Sequence, residues 1–198
     1  MDLSKAFNCL SHNLLCLKLE AYGLSKNSLK LLQSYLENRK QRIKIGSYYS
    51  DWDQICKGIP PGSILGTVLF NVFINDIFLF VQNSTIYNYA DDNTLSYCDY
   101  DKNKVVNTLK TDSLILMNWF SINLMKANPD KFQAIGIWKK TNKHKLTFNL
   151  NGNNITCEYN VKLLGVTIDS DLNFNKYISE IYKKKKASRQ LNILKHLI

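Results

Sequence analysis

With 198 residues, 45% of them hydrophobic, the chain has enough apolar sequence for one domain with a buried core, which excludes a disordered chain. Its formal net charge of +10 points to an anionic partner, nucleic acid ahead of a membrane surface, because polyanions reward distributed Lys and Arg. Cys9, Cys16, Cys56, Cys98 and Cys157 are scattered without a Cys-x-x-Cys pair, and His12, His144 and His196 lie far apart, which argues against zinc and for reduced thiols in a cytoplasmic or nuclear, intracellular setting.

The N-terminus has neither the basic start nor the apolar run of a signal peptide, so secretion is not expected. Residues 1–8 read as the tail of a strand, or its exit. Ser11 is placed to cap a helix running to about Tyr22, with Leu14, Leu15, Leu17 and Leu19 as its apolar face and Gly23 as its stop. Ser25 starts a second helix with Leu29, Leu32, Tyr35 and Leu36 at helical spacing. Both faces read as core. Residues 41–45 alternate, Gly46 breaks the run and residues 49–56 return, a hairpin made basic by Arg39, Lys40, Arg42 and Lys44. Such a cluster is either a solvated surface or a contact for an anionic partner.

Residues 58–63, Gly-Ile-Pro-Pro-Gly-Ser, form a tight turn that opens a long apolar stretch. Glycine lets a ligand approach the main chain closely, and amides at a helix start face anions. Residues 64–81 are apolar enough to suggest a membrane span, but Asn71, Asn75 and Asp76 interrupt them, and each polar group in lipid costs several kcal/mol. A buried helix, with no membrane partner, is the expectation.

Residues 85–97 hold two β-rich runs around Asp91 and Asp92, a hairpin with two carboxylates at or beside its turn. Asp-Asp is a poor choice for shape alone, since two-residue turns prefer Asn-Gly or Gly-first pairs. Neighbouring carboxylates also raise each other's pKa unless a cation or donors offset the repulsion. The alternatives are a solvated acidic turn or a divalent cation held by oxygen ligands.

Residues 103–124 are amphipathic, with Val105, Val106, Leu109, Leu116, Trp119 and Phe120 as the predicted core face. Asn128-Pro129-Asp130-Lys131 turns the chain into a strand at 132–138. Asn151-Gly152 between residues 146–150 and 155–158 is a strong hairpin signal. Residues 161–168 read as one further strand. From about Asn173 the chain reads as helical, with Lys183, Lys184, Lys185, Lys186 and Arg189 forming a dense positive cluster.

Together, five of these stretches resemble the motifs of the reverse transcriptase domain of non-LTR retrotransposons of the LINE or jockey-like kind. They are Asp2-Leu3-Ser4-Lys5-Ala6-Phe7, the turn at residues 58–66, Tyr89-Ala90-Asp91-Asp92, Asn128-Pro129-Asp130-Lys131 and Val161-Lys162-Leu163-Leu164-Gly165-Val166, and they occur in the family's order along nearly the whole chain. The resemblance implies an α+β polymerase palm, an antiparallel sheet packed on helices, over residues 1–170. Residues 171–198 would be the start of a basic thumb-like helix. The implied activity is RNA-directed DNA polymerase, adding dNTPs to a primer 3′-hydroxyl on an RNA template by two-metal nucleotidyl transfer.

By that resemblance Asp2, Asp91 and Asp92 are catalytic and hold two Mg²⁺ ions, with Mn²⁺ as a substitute, and the palm must bring Asp2 alongside the hairpin. Phe7, Pro61, Gly62 and Lys131 would contact the incoming nucleotide, Phe7 under the sugar and Lys131 near the triphosphate. Arg39, Lys40, Arg42 and Lys183, Lys184, Lys185 and Lys186 would contact the RNA template and DNA primer. Three positions depart from the family pattern: Asn8 stands where Asp is usual, Pro61 where Gln is usual, and Thr67 where Pro is usual. Because Met1 falls where the first palm strand is already under way, a truncated element copy or a partial gene model, without the fingers, is expected. The alternative is a catalytically inactive remnant that only binds nucleic acid, which Pro61 and the absent fingers favour.

Overall fold

The computed structural model describes residues 6–60, 62–138 and 146–195, of which 186–195 by their backbone alone. It is an α+β structure in two compact units, Met1–Lys131 and Phe132–Ile198.

In the first unit, α1 (Ala6–Cys9) is a short helix where the sequence suggested a strand. Ala6 is buried and Phe7 stacks on Phe70 with ring centroids 4.3 Å apart, so packing against a helix, not strand pairing, organises Ala6 and Phe7. Serine caps start the next two helices as expected. Ser11 Oγ accepts the Leu14 N–H at the head of α2 (His12–Ala21), and Ser25 Oγ accepts the Ser28 N–H at the head of α3 (Lys26–Leu36). Leu15, Leu19, Leu29 and Leu36 are buried, but Leu17 faces solvent.

The following hairpin consists of two-residue pieces. β1 (Lys40–Gln41) pairs with β4 (Asp53–Gln54), and β2 (Lys44–Ile45) pairs with β3 (Tyr48–Tyr49). Gly46 takes φ +60 in its turn.

The apolar stretch after Pro60 divides into α4 (Ile64–Ile74) and a 3-10 turn, Asn75–Leu79. Leu69, Phe70, Phe73, Ile74 and Ile77 are buried, whereas Ile64, Leu65, Val68, Phe78, Leu79 and Phe80 are exposed. The expected buried helix is therefore buried on one face only. Among the described residues no helix is long and apolar enough to cross a membrane. Lys18 ties this segment to α2. Its Nζ donates to Phe73 O at 2.8 Å and Asp76 Oδ1 at 2.7 Å and sits 4.5 Å above the Phe73 ring. Burial pulls the Lys18 pKa down, with the Asp76 carboxylate opposing.

β5 (Thr85–Tyr89) and β6 (Asp92–Ser96) form the predicted hairpin, and α5 (Lys102–Ile122) closes the core with Leu116, Trp119 and Phe120. Ile86 and Leu95, paired across the strands, pack their side chains against this core. That alternation fixes which face of the hairpin is buried.

In the second unit, β7 (Ala134–Ile135) runs parallel to β9 (Asn153–Glu158), which pairs antiparallel with β8 (Thr147–Leu150). Asn151 and Gly152 take φ +52 and +87, the turn expected of Asn-Gly. Residues 161–168 are not one strand. β10 (Asn160–Leu163) and β11 (Val166–Asp169) form a hairpin whose turn places Leu164 and Gly165 at φ +48 and +84. Asp169 then accepts the backbone N–H groups of Asp171, Asn173 and Phe174, shaping the loop into α6 (Asn175–Lys195).

Candidate active site

The adjacent carboxylates sit on the β5–β6 hairpin. Tyr89 pairs with Asp92, leaving Ala90 and Asp91 as the two turn residues, so Asp91 lies in the turn and Asp92 opens β6. Ala90 is held at φ +53, which costs a residue with a Cβ about 1–2 kcal/mol. A pair of amides compensates. Asn88 Nδ2 donates to Ala90 O at 2.9 Å and to Asn93 Oδ1 at 3.0 Å, and Asn93 Nδ2 donates to Asp91 O at 3.1 Å. Asn88 and Asn93 face each other across the strands, and Asn93 is buried. Both turn carbonyls are thereby bound, while the side chains of Asp91 and Asp92 stay half-exposed.

A second clamp holds the entry to the hairpin. Asp112 of α5, fully buried, accepts the Ser84 N–H and Ser84 Oγ–H at 2.6 Å each and Asn83 Nδ2 at 3.0 Å. Burial works to raise the Asp112 pKa, but the donors from Ser84 and Asn83 outweigh it and hold the carboxyl below its usual range. The sequence reading missed Asn88, Asn93 and Asp112. For the first two the signal was present, because two asparagines flank Tyr-Ala-Asp-Asp symmetrically about the turn.

Asp91 and Asp92 offer adjacent hard oxygens, the donor chemistry that Mg²⁺ prefers, so the pair fits a divalent cation in kind. Among the described residues no cluster of three or more His, Cys, Asp or Glu side chains forms a complete ligand set. Asp2, the expected third carboxylate, lies outside the described residues, as do Pro61 and the side chain of Lys186.

Phe7 and Gly62 do come together. They line a pocket of about 280 Å³ with Asn8, Ile59, Pro60, Ser63, Gly66 and Thr67. The Ile59 N–H donates to Phe7 O at 3.0 Å and the Gly58 N–H to Leu10 O at 2.8 Å, which pins the turn before α4 against α1. Gly58 is required there: at φ +81, an added Cβ would stand 2.8 Å from Asn8 Cα and from Phe7 O. Gly62 also takes positive φ, +75, but its surroundings are open. Ser63 caps α4 by accepting the Gly66 N–H, and its Oγ shares a 2.6 Å hydrogen bond with Tyr35. Phe7 is thus both a pocket wall and a core aromatic, a combination that the sequence left open.

Lys131 is exposed at the end of the 3-10 turn Pro129–Lys131, its N–H donating to Asn128 O. Lys40 and Arg42 are exposed on the β1–β4 hairpin, half-buried Arg39 stands just before it with its guanidinium donating to Tyr35 O at 3.1 Å, and Lys183, Lys184 and Lys185 are exposed on α6.

A family model described as reverse transcriptase (RNA-dependent DNA polymerase) matches residues 1–168. Among curated proteins of Drosophila melanogaster, the chain is 26% identical over 192 residues to the probable RNA-directed DNA polymerase from transposon BS, covering 90% of this chain and 20% of that protein. It is 26% identical over 189 residues to the RNA-directed DNA polymerase from mobile element jockey, covering 91% and 20%. A third relative, the probable RNA-directed DNA polymerase from transposon X-element, is 23% identical over 191 residues, covering 94% and 21%. The chain therefore spans about a fifth of the length of these relatives. With the family match extending over residues 1–168 and the Tyr-Ala-Asp-Asp turn built as described, the chain belongs to the reverse transcriptase family.

Proposed function

We propose that this chain is the palm-centred part of an RNA-directed DNA polymerase that extends a DNA primer on an RNA template with dNTPs. The observation that carries this reading is the clasped turn presenting Asp91 and Asp92 within a chain that the family model matches from residue 1 to 168. Residues 1–170 form the palm in this reading, and 171–198 begin the basic thumb-like helix. An intracellular setting goes with it.

Asp91 and Asp92, with Asp2, are the residues that would hold the divalent cations. Mg²⁺ bound there, or Mn²⁺ in its place, would neutralise triphosphate charge and acidify the primer 3′-hydroxyl. The chain's own contribution is position. Asn88 and Asn93 fix the turn carbonyls, so the Asp91 carboxylate is set by groups that do not occupy it. Phe7 and Gly62 line the pocket in which a sugar would rest, with Pro61 beside Gly62 in sequence, and Lys131 would bring positive charge toward the triphosphate. Arg39, Lys40, Arg42 and Lys183, Lys184, Lys185 and Lys186 would bind template and primer phosphates.

The test is primer extension on an RNA template with Mg²⁺ and dNTPs. It is run with the 198-residue chain and with the jockey polymerase carrying this chain in place of its matching stretch. Extension in either form, lost on Asp91→Asn, is the expected result. Failure of both, with circular dichroism confirming that both are folded, overturns the polymerase reading and leaves a nucleic-acid-binding remnant.

A further inference from the structure

We propose that the β1–β4 hairpin is a stacking platform for single-stranded nucleic acid, separate from the carboxylate turn. The observation is an interleaving of exposed rings and guanidinium on one surface. The Arg42 guanidinium lies 4.1 Å from the Tyr49 ring centroid and 4.6 Å from that of Trp52, and Lys44 Nζ lies 5.2 Å from Tyr49. Trp52 remains 60% exposed and Tyr49 51% exposed, so Arg42 covers only part of each ring.

Neither ring contributes to the core of this unit. Indole and phenol kept in water, held flat by a cation, are costly for stability and suited to a flat π-surface. An unpaired base is such a surface, and base-on-aromatic stacking is indifferent to sequence because every base has a π-face. A duplex buries those faces and offers phosphates and groove edges instead.

The charge fits the same partner. Residues 39–57 carry five cations, Arg39, Lys40, Arg42, Lys44 and Lys57, against Asp51 and Asp53. Arg39, Lys40, Arg42 and Lys44 form no ion pair with a described residue. The register separates the signs as well: Lys40 stands opposite Gln54 and Asp53 opposite Gln41, so Asp53 projects from the other face of the ribbon to Lys40. A strand of nucleic acid laid on this face would find Arg42 and Lys44 for its phosphates and Tyr49 and Trp52 for its bases. Arg42 suits both tasks, since a guanidinium stacks and donates in its plane.

This inference rests on nucleic acid being a substrate of the proposed polymerase but not on the carboxylates, and its test can fail separately. Fluorescein-labelled oligouridylate, alone and annealed to its complement, is titrated with the 198-residue chain and with Trp52→Ala, Trp52→Phe and Arg42→Gln, following anisotropy across a salt series. Because the substituted side chains are exposed, folding is not at stake. Trp52→Ala is expected to weaken single-strand binding about tenfold, with an unchanged salt slope and unchanged duplex binding. Trp52→Phe restores most of the loss. Arg42→Gln lowers the slope of log K against log salt by about 0.7, one phosphate contact on a single strand. Parent-like binding by Trp52→Ala and Arg42→Gln overturns the platform and leaves the polymerase reading to primer extension. Absence of binding to either oligonucleotide overturns the platform together with the nucleic-acid part of that reading.

Discussion

Replacing Asp112 by Ala removes the acceptor for three donors at the entry to the carboxylate hairpin. The Ser84 N–H and Oγ–H each lie 2.6 Å from the Asp112 carboxylate, and Asn83 Nδ2 lies 3.0 Å away. Hydrogen bonds to a charged group contribute about 1.5–3 kcal/mol each, but the three share one acceptor and Asn83 can turn to water. The expected loss is therefore about 4 kcal/mol, not the sum of three, and it is a large part of the stability of any single domain. Asp112→Asn keeps the volume and one acceptor and should lose about 2 kcal/mol at neutral pH. The acid limb separates charge from packing. Asp112 has a depressed pKa in the fold, so its contribution is complete above the unfolded carboxyl value of about 3.9 and is lost as pH falls through the lower folded value. The gap between parent and Asp112→Asn should then be constant from about pH 7 to 5 and narrow below about pH 4. Urea unfolding across this range, followed by circular dichroism, measures it. A loss under about 1 kcal/mol in Asp112→Ala, or a gap that ignores pH, would refute the clamp.

Gly58→Ala should cost about 3 kcal/mol or more in urea unfolding, because its Cβ meets Asn8 Cα and Phe7 O at 2.8 Å, whereas Gly62→Ala, with open space and only positive φ to bear, should cost about 1 kcal/mol. Mg²⁺ should raise the thermal midpoint of the chain by mass action, and Asp91→Asn should remove the increase; an unchanged metal response in that variant would move the site elsewhere. Asn93→Ala, which frees the Asp91 carbonyl and leaves the Asn88 amide only Ala90 O of its two acceptors, should cost about 2 kcal/mol and weaken the Mg²⁺ response, both read from the same melts. The Asp169 carboxyl is held below its usual range by the Asn173 N–H above all and by those of Phe174 and Asp171, with desolvation opposing, so its contribution is present above about pH 4 and lost below the folded value. Proton titration followed by NMR should place the Asp169 midpoint below that of an exposed aspartate.

What could be read from the chain was whatever depends on a few consecutive residues. Ser11 and Ser25 cap helices because each hydroxyl bonds an amide three residues on, and Asn151-Gly152 turns because both residues tolerate positive φ. Leu164-Gly165 makes a comparable turn, but a leucine at φ +48 announces nothing in sequence, so two strands read as one. Ala6–Cys9 was misread because Phe7 finds its partner in Phe70, a long-range stack that no local pattern encodes. The apolar run after Ser63 looked alike on every side, and periodicity could not separate buried Phe73 from exposed Leu79. Asp112 was invisible for the same reason as Phe70: the loop that it holds lies 28 residues earlier.

The way in which the carboxylate turn is held bears on what it is for. An aspartate placed for shape, such as Asp91, could be quieted by a lysine or arginine, as happens elsewhere in the fold: Lys18 joins Asp76 at 2.7 Å and Lys104 joins Asp99 at 2.6 Å. At the turn the immediate braces are two neutral amides acting on main-chain carbonyls, and the Asp91 carboxylate accepts no hydrogen bond or ion pair from a described residue. Asp112, a negative brace, stands behind the loop that enters the hairpin. Bracing through main-chain carbonyls fixes the geometry of the turn without occupying the Asp91 carboxylate, which is the arrangement a divalent cation would use. If the braces serve the charge, an engineered lysine at Tyr89, exposed and cross-strand to Asp92, should leave the unfolding midpoint unchanged or higher while weakening the Mg²⁺ response. A Tyr89→Lys variant that keeps the full metal response would show that the potential at the turn is not what binds the cation.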